Sequence, residues 1–303
     1  MTIVAGFKFH DGVVLCADTQ ETIGVAKRQV PKLRVEEIGG AFAKATALMP
    51  MAAAFCAATD NGQFADKLIE RAWQSAMQGK SFGQVCQRVE RTIKRTYAEF
   101  GKIYQPGSLP SVELIYAIKA EGQSSMFSAI GPAVIQEHSY RTLGIGFYLA
   151  EFLADRMFHR ALSLHQCVIL AAYVLFQTKA HIDGCGGESD IAIIRNDGSS
   201  GRIDSAVVNA ITDNLSSIDA EVGSLLLTNA DLDLTDEEVK DRAAHVLSYL
   251  DMLREKQKQD METWKQFRGL YMGSPASLME EADSYGLPKE IKPSTPQTSE
   301  DQQ

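Results

Sequence analysis

The second residue of the chain has a side chain and a position that suit nucleophilic catalysis. Thr2 directly follows Met1 and begins a segment that alternates as a strand does. Initiator methionine is normally removed when the next residue is small, and removal would leave Thr2 with a free α-amine beside its own hydroxyl. An α-amine titrates near ~7.7–8.0, so it can act as a general base at neutral pH without a histidine. We therefore expect Thr2 to supply both the nucleophile and its base.

The other reactive residue types show no spacing that is typical of a metal or disulfide site. The six histidines lack an HExxH pattern, and no two cysteines have CxxC spacing. The mechanism expected of Thr2 needs no metal and no organic cofactor, so we expect neither. The formal net charge of −9 does not favour a nucleic-acid partner. The five cysteines, odd in number and scattered, are Cys16, Cys56, Cys86, Cys167 and Cys185.

Composition and patterning indicate a globular protein. The 303 residues are 45% hydrophobic and 23% charged, which is ordinary globular usage. Lys8, Asp11 and Asp18 interrupt any signal-peptide core, and the longest apolar run, 167–176, is too short to cross a bilayer. We expect a reduced, soluble, cytoplasmic protein without membrane contacts.

A catalytic threonine must be held in a fixed position, and the hydrophobic pattern predicts a buried strand that would hold Thr2. Residues 2–9 alternate between two faces, and 13–17 form a continuous apolar run that suits a buried strand. The order of strands, two helices, strands, two helices and a strand predicts an α+β fold with layers of helix, sheet, sheet and helix. The further predicted strands are 32–38, 41–56, 113–120, 125–130, 133–137 and 190–195; the predicted helices are 60–76, 82–97 after Ser81, 148–160, and 164–181 after Ser163.

The character of the chain changes beyond about residue 210. Thr235 and Glu238 form a capping-box pattern that opens a long helix. Its apolar residues are spaced by four and three, which suits either packing on its own core or a contact with a subunit or partner. These residues are Val239, Ala243, Val246, Leu250 and Leu253. We expect a main domain over 2–208, a helical extension over 209–273 and a disordered tail over 274–303.

The sequence TIVAGFKFHDGVVLCADT resembles the amino terminus of mature proteasome β-type subunits and related bacterial peptidases of the N-terminal nucleophile (Ntn) hydrolase superfamily. AATD at 57–60, GIG at 144–146 and DIAI at 190–193 follow in the family's order, so the likeness covers roughly residues 2–200. It implies a four-layer αββα sandwich and a polypeptide substrate. It also implies a homo-oligomeric ring or helical assembly, with an ATPase unfoldase or adaptor as a further partner.

The resemblance also implies which residues form the site. Thr2 would be the nucleophile, with Asp18 and Lys32 as its charged support. Asp183 would complete the catalytic set, and the backbone N–H of Cys56 would serve the oxyanion hole. An ammonium near Thr2 would lower the pKa of both its hydroxyl and its amine.

Among the departures from the family pattern, two replace residues that carry a hydroxyl. Ile145 and Gly186 stand where the family has serines. Losing those two hydroxyls would remove hydrogen-bond partners of the terminal amine and its water network. The predicted site is therefore depleted, and slow or absent turnover is an open alternative.

The hairpin between the first two strands provides a structural test. A two-residue turn at Asp11–Gly12 would pair Asp18 with Ala5 and put it on the face opposite Thr2. A three-residue loop over 10–12 would pair Phe9 with Val13 and Asp18 with Val4, on the face of Thr2. We predict the three-residue loop.

The sequence thus predicts a proteasome-like threonine peptidase that hydrolyses peptide bonds with Thr2. One alternative is a catalytically inactive structural ring subunit or scaffold that keeps the same fold. Another is a small-molecule amidase on that fold, which would need a closed pocket.

Overall fold

The computed structural model describes residues 2–23, 26–104 and 108–266. Its strands are β1 Ile3–Phe9, β2 Gly12–Asp18, β3 Gln20–Ile23, β4 Ala26–Gln29, β5 Leu33–Ile38, β6 Met51–Thr59, β7 Val112–Ala120, β8 Gln123–Ile130, β9 Ala133–Glu137, β10 Tyr140–Gly144, β11 Ser189–Arg195 and β12 Ser200–Arg202. Its helices are α1 Gly40–Thr46, α2 Gly62–Ala76, α3 Phe82–Phe100, α4 Phe147–Met157, α5 Leu164–His181, α6 Ser205–Ala230 and α7 Asp236–Gln266.

The strands form two five-stranded sheets and a small hairpin. The first sheet has the order β10-β1-β2-β11-β12, and the second has the order β5-β6-β7-β8-β9. Strands β3 and β4 pair separately, and neighbouring strands are antiparallel. The predicted α+β class is confirmed.

Three apolar clusters bury the two faces of each sheet. Ile3 and Phe7 of β1 pack with residues of α4 and α5, whereas Val4 packs with residues of the second sheet. The outer face of the second sheet packs on α2 and α3. Because successive strand residues point to opposite faces, β1 is held from both sides and gives Thr2 a fixed position.

The predicted starts of two helices are confirmed. Ser81 accepts a hydrogen bond from the Gln84 N–H at the start of α3. Ser163 and Gln166 form a capping box at the start of α5, whose bounds match the predicted 164–181. Side-chain caps of this kind are local, so they can be read from a few residues of sequence.

One predicted strand is wrong in its first part. The segment 41–56 contains α1 and only then β6, which begins at Met51. Alanine favours helices, so a run of alanines carries little strand signal. Ala47 ends α1 in the left-handed conformation, at φ 56°.

The prediction of a three-residue loop between β1 and β2 is also wrong. Phe9 pairs with Gly12, and Val4 pairs with Ala17, so the turn consists of residues 10 and 11 alone. Gly12 belongs to the strand because β11 passes close beside it: a Cβ there would lie 2.3 Å from the Ile194 carbonyl oxygen. This glycine therefore serves close strand packing rather than the turn.

The helical extension begins inside the main body of the protein. Helix α6 starts at Ser205 and crosses the predicted boundary at 208, and its first turns pack on the core through Val208, Ile211 and Leu215. The predicted capping box is confirmed: Thr235 N–H donates to Glu238, and Glu238 N–H donates to Thr235 Oγ1.

Helix α7 packs beside α6. Of its predicted apolar seam, Val246 and Leu253 are buried and Leu250 is partly exposed. The last residues of the predicted extension and the predicted tail over 274–303 lie outside the described residues. None of the described helices is both long and apolar enough to span a membrane.

Candidate active site

Thr2 lies just before the first residue of β1 and is almost fully buried. Its hydroxyl donates a hydrogen bond to Asp18 Oδ1. Thr2 Oγ1 in turn accepts a hydrogen bond from Lys32 Nζ at 2.5 Å. The three residues that the resemblance placed in one site therefore contact one another.

The Asp18 carboxylate, at the end of β2, is completely buried and surrounded by donors. Oδ1 also accepts from the Ile3 N–H at 3.1 Å and from Lys32 Nζ at 2.8 Å. Oδ2 accepts from the Gly186 N–H at 2.9 Å. These donors compensate the cost of removing a carboxylate from water.

Lys32 comes immediately before β5 of the second sheet and reaches across to the first. Its ammonium also donates to the carbonyl oxygen of Gln20. Burial lowers the pKa of Lys32, and the Asp18 carboxylate partly opposes that effect. A lowered pKa makes the amine readier to release a proton near neutral pH.

The contact between Thr2 and Asp18 does not arise as predicted. If the observed pairing continued by one residue, Asp18 would lie opposite Ile3 and point to the same face of the sheet as Ile3. In a regular strand Thr2 would point to the other face. However, Thr2 precedes β1, so strand alternation does not fix the direction of its side chain. The Thr2 side chain points towards Asp18 and donates to it. The strand register alone would have predicted no contact between them.

A turn at the end of β10 holds the backbone of Thr2. Gly146 N–H donates to the Thr2 carbonyl at 3.4 Å. Gly144 has φ +91°, and a Cβ there would lie 2.3 Å from the Thr2 carbonyl oxygen. Ile145, between them, is 45% exposed.

Glu113 of β7 is a site residue that the sequence analysis missed. Its Oε2 accepts from the Gly144 N–H at 2.7 Å, so a carboxylate of the second sheet fixes the turn that holds Thr2. The available signal was an acidic residue in the otherwise apolar start of a strand, VELIYAI.

Gly186 contributes to the site through its backbone. It has no side-chain hydroxyl, yet its N–H binds Asp18 and its carbonyl accepts from the Gln20 N–H at 3.0 Å. Asp183, by contrast, does not lie at the site. It is exposed in the turn after α5, and no contact joins it to Thr2, Asp18 or Lys32 among the described residues.

Cys56 is not brought to Thr2 either. Ala57 N–H donates to the Lys32 carbonyl, towards β5, so strand alternation directs the Cys56 N–H the other way, towards Ile115 on β7. The Cys56 thiol packs between the two sheets, where burial raises its pKa. The sheet thus occupies the donor that the resemblance assigned to the oxyanion hole.

A small open cleft of about 60 Å³ begins at Thr2 and Lys32. Besides Lys32, the charged residues that line it form ion pairs: Arg34 pairs with Asp66, and Glu21 pairs with Arg28 outside the cleft. No group of three or more histidine, cysteine, aspartate or glutamate side chains is arranged to hold a metal ion within the described ranges. Apolar and small residues line the cleft: Val30, Pro31, Ala57, Gly62, Ala65 and Ile69.

Solved structures with a similar fold include those of Anbu proteins. Anbu (ancestral β-subunit) from Yersinia bercovieri superposes with a TM-score of 0.61 at 14% identity, over 74% of this chain and 97% of that one. Anbu from Hyphomicrobium sp. strain MC1 gives 0.58 at 16% identity, over 74% and 97%. A structure described as the helical assembly of the Anbu complex from Pseudomonas aeruginosa gives 0.57 at 18% identity, over 71% and 93%.

Neither a protein-family model nor a curated protein sequence matches the chain. At identities of 14–18% the likeness shows a shared, proteasome-like fold. It also corrects the family suggested by the sequence. The similar structures are of Anbu, which is proteasome-like but distinct from the proteasome β-type subunits, so the assignment to β-type subunits is wrong.

Proposed function

We propose that the chain is a threonine endopeptidase of the Ntn hydrolase type, built on a four-layer αββα sandwich. Thr2, exposed by removal of Met1, is the nucleophile. The observation that carries this proposal is the Thr2 hydroxyl held between the Asp18 carboxylate and the Lys32 ammonium in the wall of a cleft. A buried ion pair around a hydroxyl at a cleft is a typical arrangement for activating a nucleophile.

The proposed reaction makes use of this geometry. Thr2 Oγ1 bonds to the carbonyl carbon of the peptide, and its proton passes through a water molecule to the Thr2 α-amine. The Lys32 N–H beside Oγ1 stabilises negative charge on that oxygen. The proton then moves to the departing amine nitrogen as the C–N bond breaks, which leaves an ester on Thr2. Water hydrolyses the ester by the same proton route.

Assembly and substrate belong to the same proposal. The Anbu complex from Pseudomonas aeruginosa is described as a helical assembly. We extend this to a homo-oligomer of the present chain that admits unfolded polypeptide, with an ATPase unfoldase or adaptor to deliver it.

A catalytically inactive scaffold is the second candidate, and specific observations favour it. Gly186 brings only its backbone to the site, the Ile145 side chain is partly exposed, and Asp183 is exposed. A scaffold would keep the fold while Thr2 no longer reacts.

The intact mass of the protein, before and after exposure to a peptide epoxyketone, separates these candidates. This warhead requires both the hydroxyl and the free amine of an amino-terminal threonine. The peptidase proposal expects loss of methionine and one stoichiometric adduct. The matched control is Thr2→Ala, which also permits methionine removal but has no hydroxyl. Retained methionine, or trimming without an adduct, would support the scaffold instead.

A further inference from the structure

A second lysine lies behind the site. Lys179, near the end of α5, donates from Nζ to the Gly187 carbonyl at 3.0 Å and to Ser189 Oγ at 2.8 Å. The ion pairs found between described side chains do not include it. Lys179 is partly buried, and burial lowers the pKa of its ammonium, so its neighbours must compensate the cost of keeping it charged.

The segment that Lys179 holds is the one that contacts Asp18. Between α5 and β11, Gly186 N–H donates to Asp18 Oδ2 at 2.9 Å. Further hydrogen bonds fasten the segment to the two residues after β2: Gln20 N–H to the Gly186 carbonyl at 3.0 Å, Thr19 N–H to the Glu188 carbonyl at 3.1 Å, and Glu188 N–H to Thr19 Oγ1 at 2.8 Å. The segment is therefore fixed on one side by residues 18–20 and on the other by Lys179.

The backbone of this segment is closely fitted as well. Gly187 has φ +71°, and a Cβ there would lie 2.6 Å from Thr19 Oγ1. Because the glycine brings the backbone so near, a small displacement of residues 187–189 would draw the Gly186 N–H away from Asp18.

The charge of Lys179 reaches the site too. Among charged groups, Asp18 on β2 and Glu188 in the segment act on the Lys179 ammonium. Around Asp18 and Lys32, the other groups are Cys185 in the segment and Glu21 on β3. Lys179 thus places a second positive charge near a carboxylate that already binds Lys32.

We propose that Lys179 is a positioning residue of the Thr2 site, which holds the Gly186 N–H on Asp18 and supplies positive potential behind that carboxylate. This inference rests on the proposed function. In this role a lysine on α5 stabilises a segment that otherwise offers Asp18 only a backbone N–H.

The test measures the rate of epoxyketone adduct formation against inhibitor concentration, which separates the limiting rate from the apparent affinity. Three variants are compared with the unchanged protein. Lys179→Met removes the charge and both hydrogen bonds, Ser189→Ala removes one hydrogen bond and keeps the charge, and Lys94→Met is a matched control at an exposed lysine on α3. Intact mass confirms equal removal of Met1 in each.

We expect Lys179→Met to lower the limiting rate by about tenfold or more, with the apparent affinity nearly unchanged, because Lys179 is not among the residues that line the cleft at Thr2. Ser189→Ala should have a smaller effect, and Lys94→Met none. The pH profile of the rate provides a second measurement, because it would not change if Lys179 had a purely structural role. Removing a positive charge raises the pKa of nearby groups, so the acid limb of the rate should move to higher pH in Lys179→Met and stay in place in Ser189→Ala.

Different outcomes would overturn the role of Lys179 and the proposed function. If the unchanged protein forms an adduct and Lys179→Met keeps its limiting rate and pH profile, the role of Lys179 is overturned and the proposed function stands. If the unchanged protein loses Met1 and forms no adduct, the proposed function falls, and this inference falls with it. Should Lys179→Met not fold, Lys179→Gln, which keeps a donor without the charge, takes its place under the same criteria.

Discussion

Burial distinguishes the ion pair at the centre of the site from those on its rim. Lys32–Asp18 and Arg34–Asp66 have similar N···O distances, 2.8 and 2.7 Å. The Asp18 side chain is 0% exposed, whereas that of Asp66 is 59% exposed. Water screens the exposed pair, while the buried pair depends on its partners for compensation.

This difference makes a stability prediction at the scale of single residues. Asp18→Asn keeps the shape of the side chain but leaves Lys32 buried without its anion, so we expect a loss of about 3–5 kcal/mol in the free energy of unfolding. Asp66→Asn is the matched control and should cost less than about 1 kcal/mol. Urea denaturation of the three proteins measures both. Equal losses in the two variants would show that Asp18 is not the structural anchor of the site.

Part of the site could be predicted from sequence, and part could not. Thr2, Asp18 and Lys32 were named correctly as neighbours because a family pattern preserves their spacing. Glu113 and Lys179 were missed because each contacts the backbone of a turn outside its own strand or helix, and no sequence motif records such a contact. The assignment of Cys56 failed because strand alternation, visible only once β5 and β6 are paired, decides where its N–H points.

At the scale of elements, glycines set how close the turns come to Thr2. Gly144, at the end of β10, is the closest case, because its α-carbon faces the Thr2 carbonyl. Gly122, between β7 and β8, also has positive φ, at +73°, but nothing lies within 4 Å of where its Cβ would be. An alanine at Gly122 would strain the backbone only, whereas an alanine at Gly144 would strain the backbone and also press against Thr2. Comparing the two substitutions therefore isolates the effect of displacing the nucleophile.

We predict that Gly144→Ala lowers the rate of adduct formation about a hundredfold, because the new methyl group pushes the Thr2 carbonyl out of position. Gly122→Ala should cost about 1 kcal/mol of stability for the left-handed backbone and leave the rate unchanged. The epoxyketone assay and urea denaturation measure the two quantities on the same samples. A normal rate in Gly144→Ala would mean that the turn yields without moving Thr2.

The elements themselves were largely predictable, with failures at particular places. Helix α5 was delimited correctly because Ser163 and Gln166 mark its start by local chemistry. The β1–β2 register was mispredicted because a glycine beside a turn suggests a left-handed residue, whereas Gly12 is required by its close contact with Ile194 of β11, far along the chain. The strand β10 went unrecognised, and its pairing with β1 places the turn that holds Thr2.

At the scale of the whole molecule, polar contacts join the two sheets at several places, and two of these places involve a lysine. One is the site, where Lys32 of the second sheet reaches Thr2 and Asp18 of the first. The other involves Lys8 of β1, which donates to the Ser124 carbonyl at 2.8 Å and to Ser124 Oγ at 3.0 Å on β8. Ser124 Oγ in turn donates to Asn196 Oδ1 at 2.6 Å, in the turn that follows β11 of the first sheet.

The ionisation of Lys8 makes the free energy of unfolding depend on pH. Burial lowers the pKa of Lys8 below its ordinary 10.5. Below the lowered pKa the folded protein pays to keep this ammonium out of water. As pH rises from that value to 10.5 the folded state loses its proton before the unfolded state does, so the free energy of unfolding rises. Above 10.5 both states are neutral and the cost is gone.

We therefore predict that the stability of the unchanged protein relative to Lys8→Met increases with pH in the window just below 10.5. Urea denaturation of both proteins at pH 8 and pH 10 measures the difference, from which the titration of all other groups cancels. Lys94→Met, at an exposed position on α3, is compared in the same way to show that the change belongs to the buried lysine. A constant difference between the unchanged protein and Lys8→Met would mean that Lys8 is solvated in solution and that the apolar contacts between the sheets suffice to join them at this end.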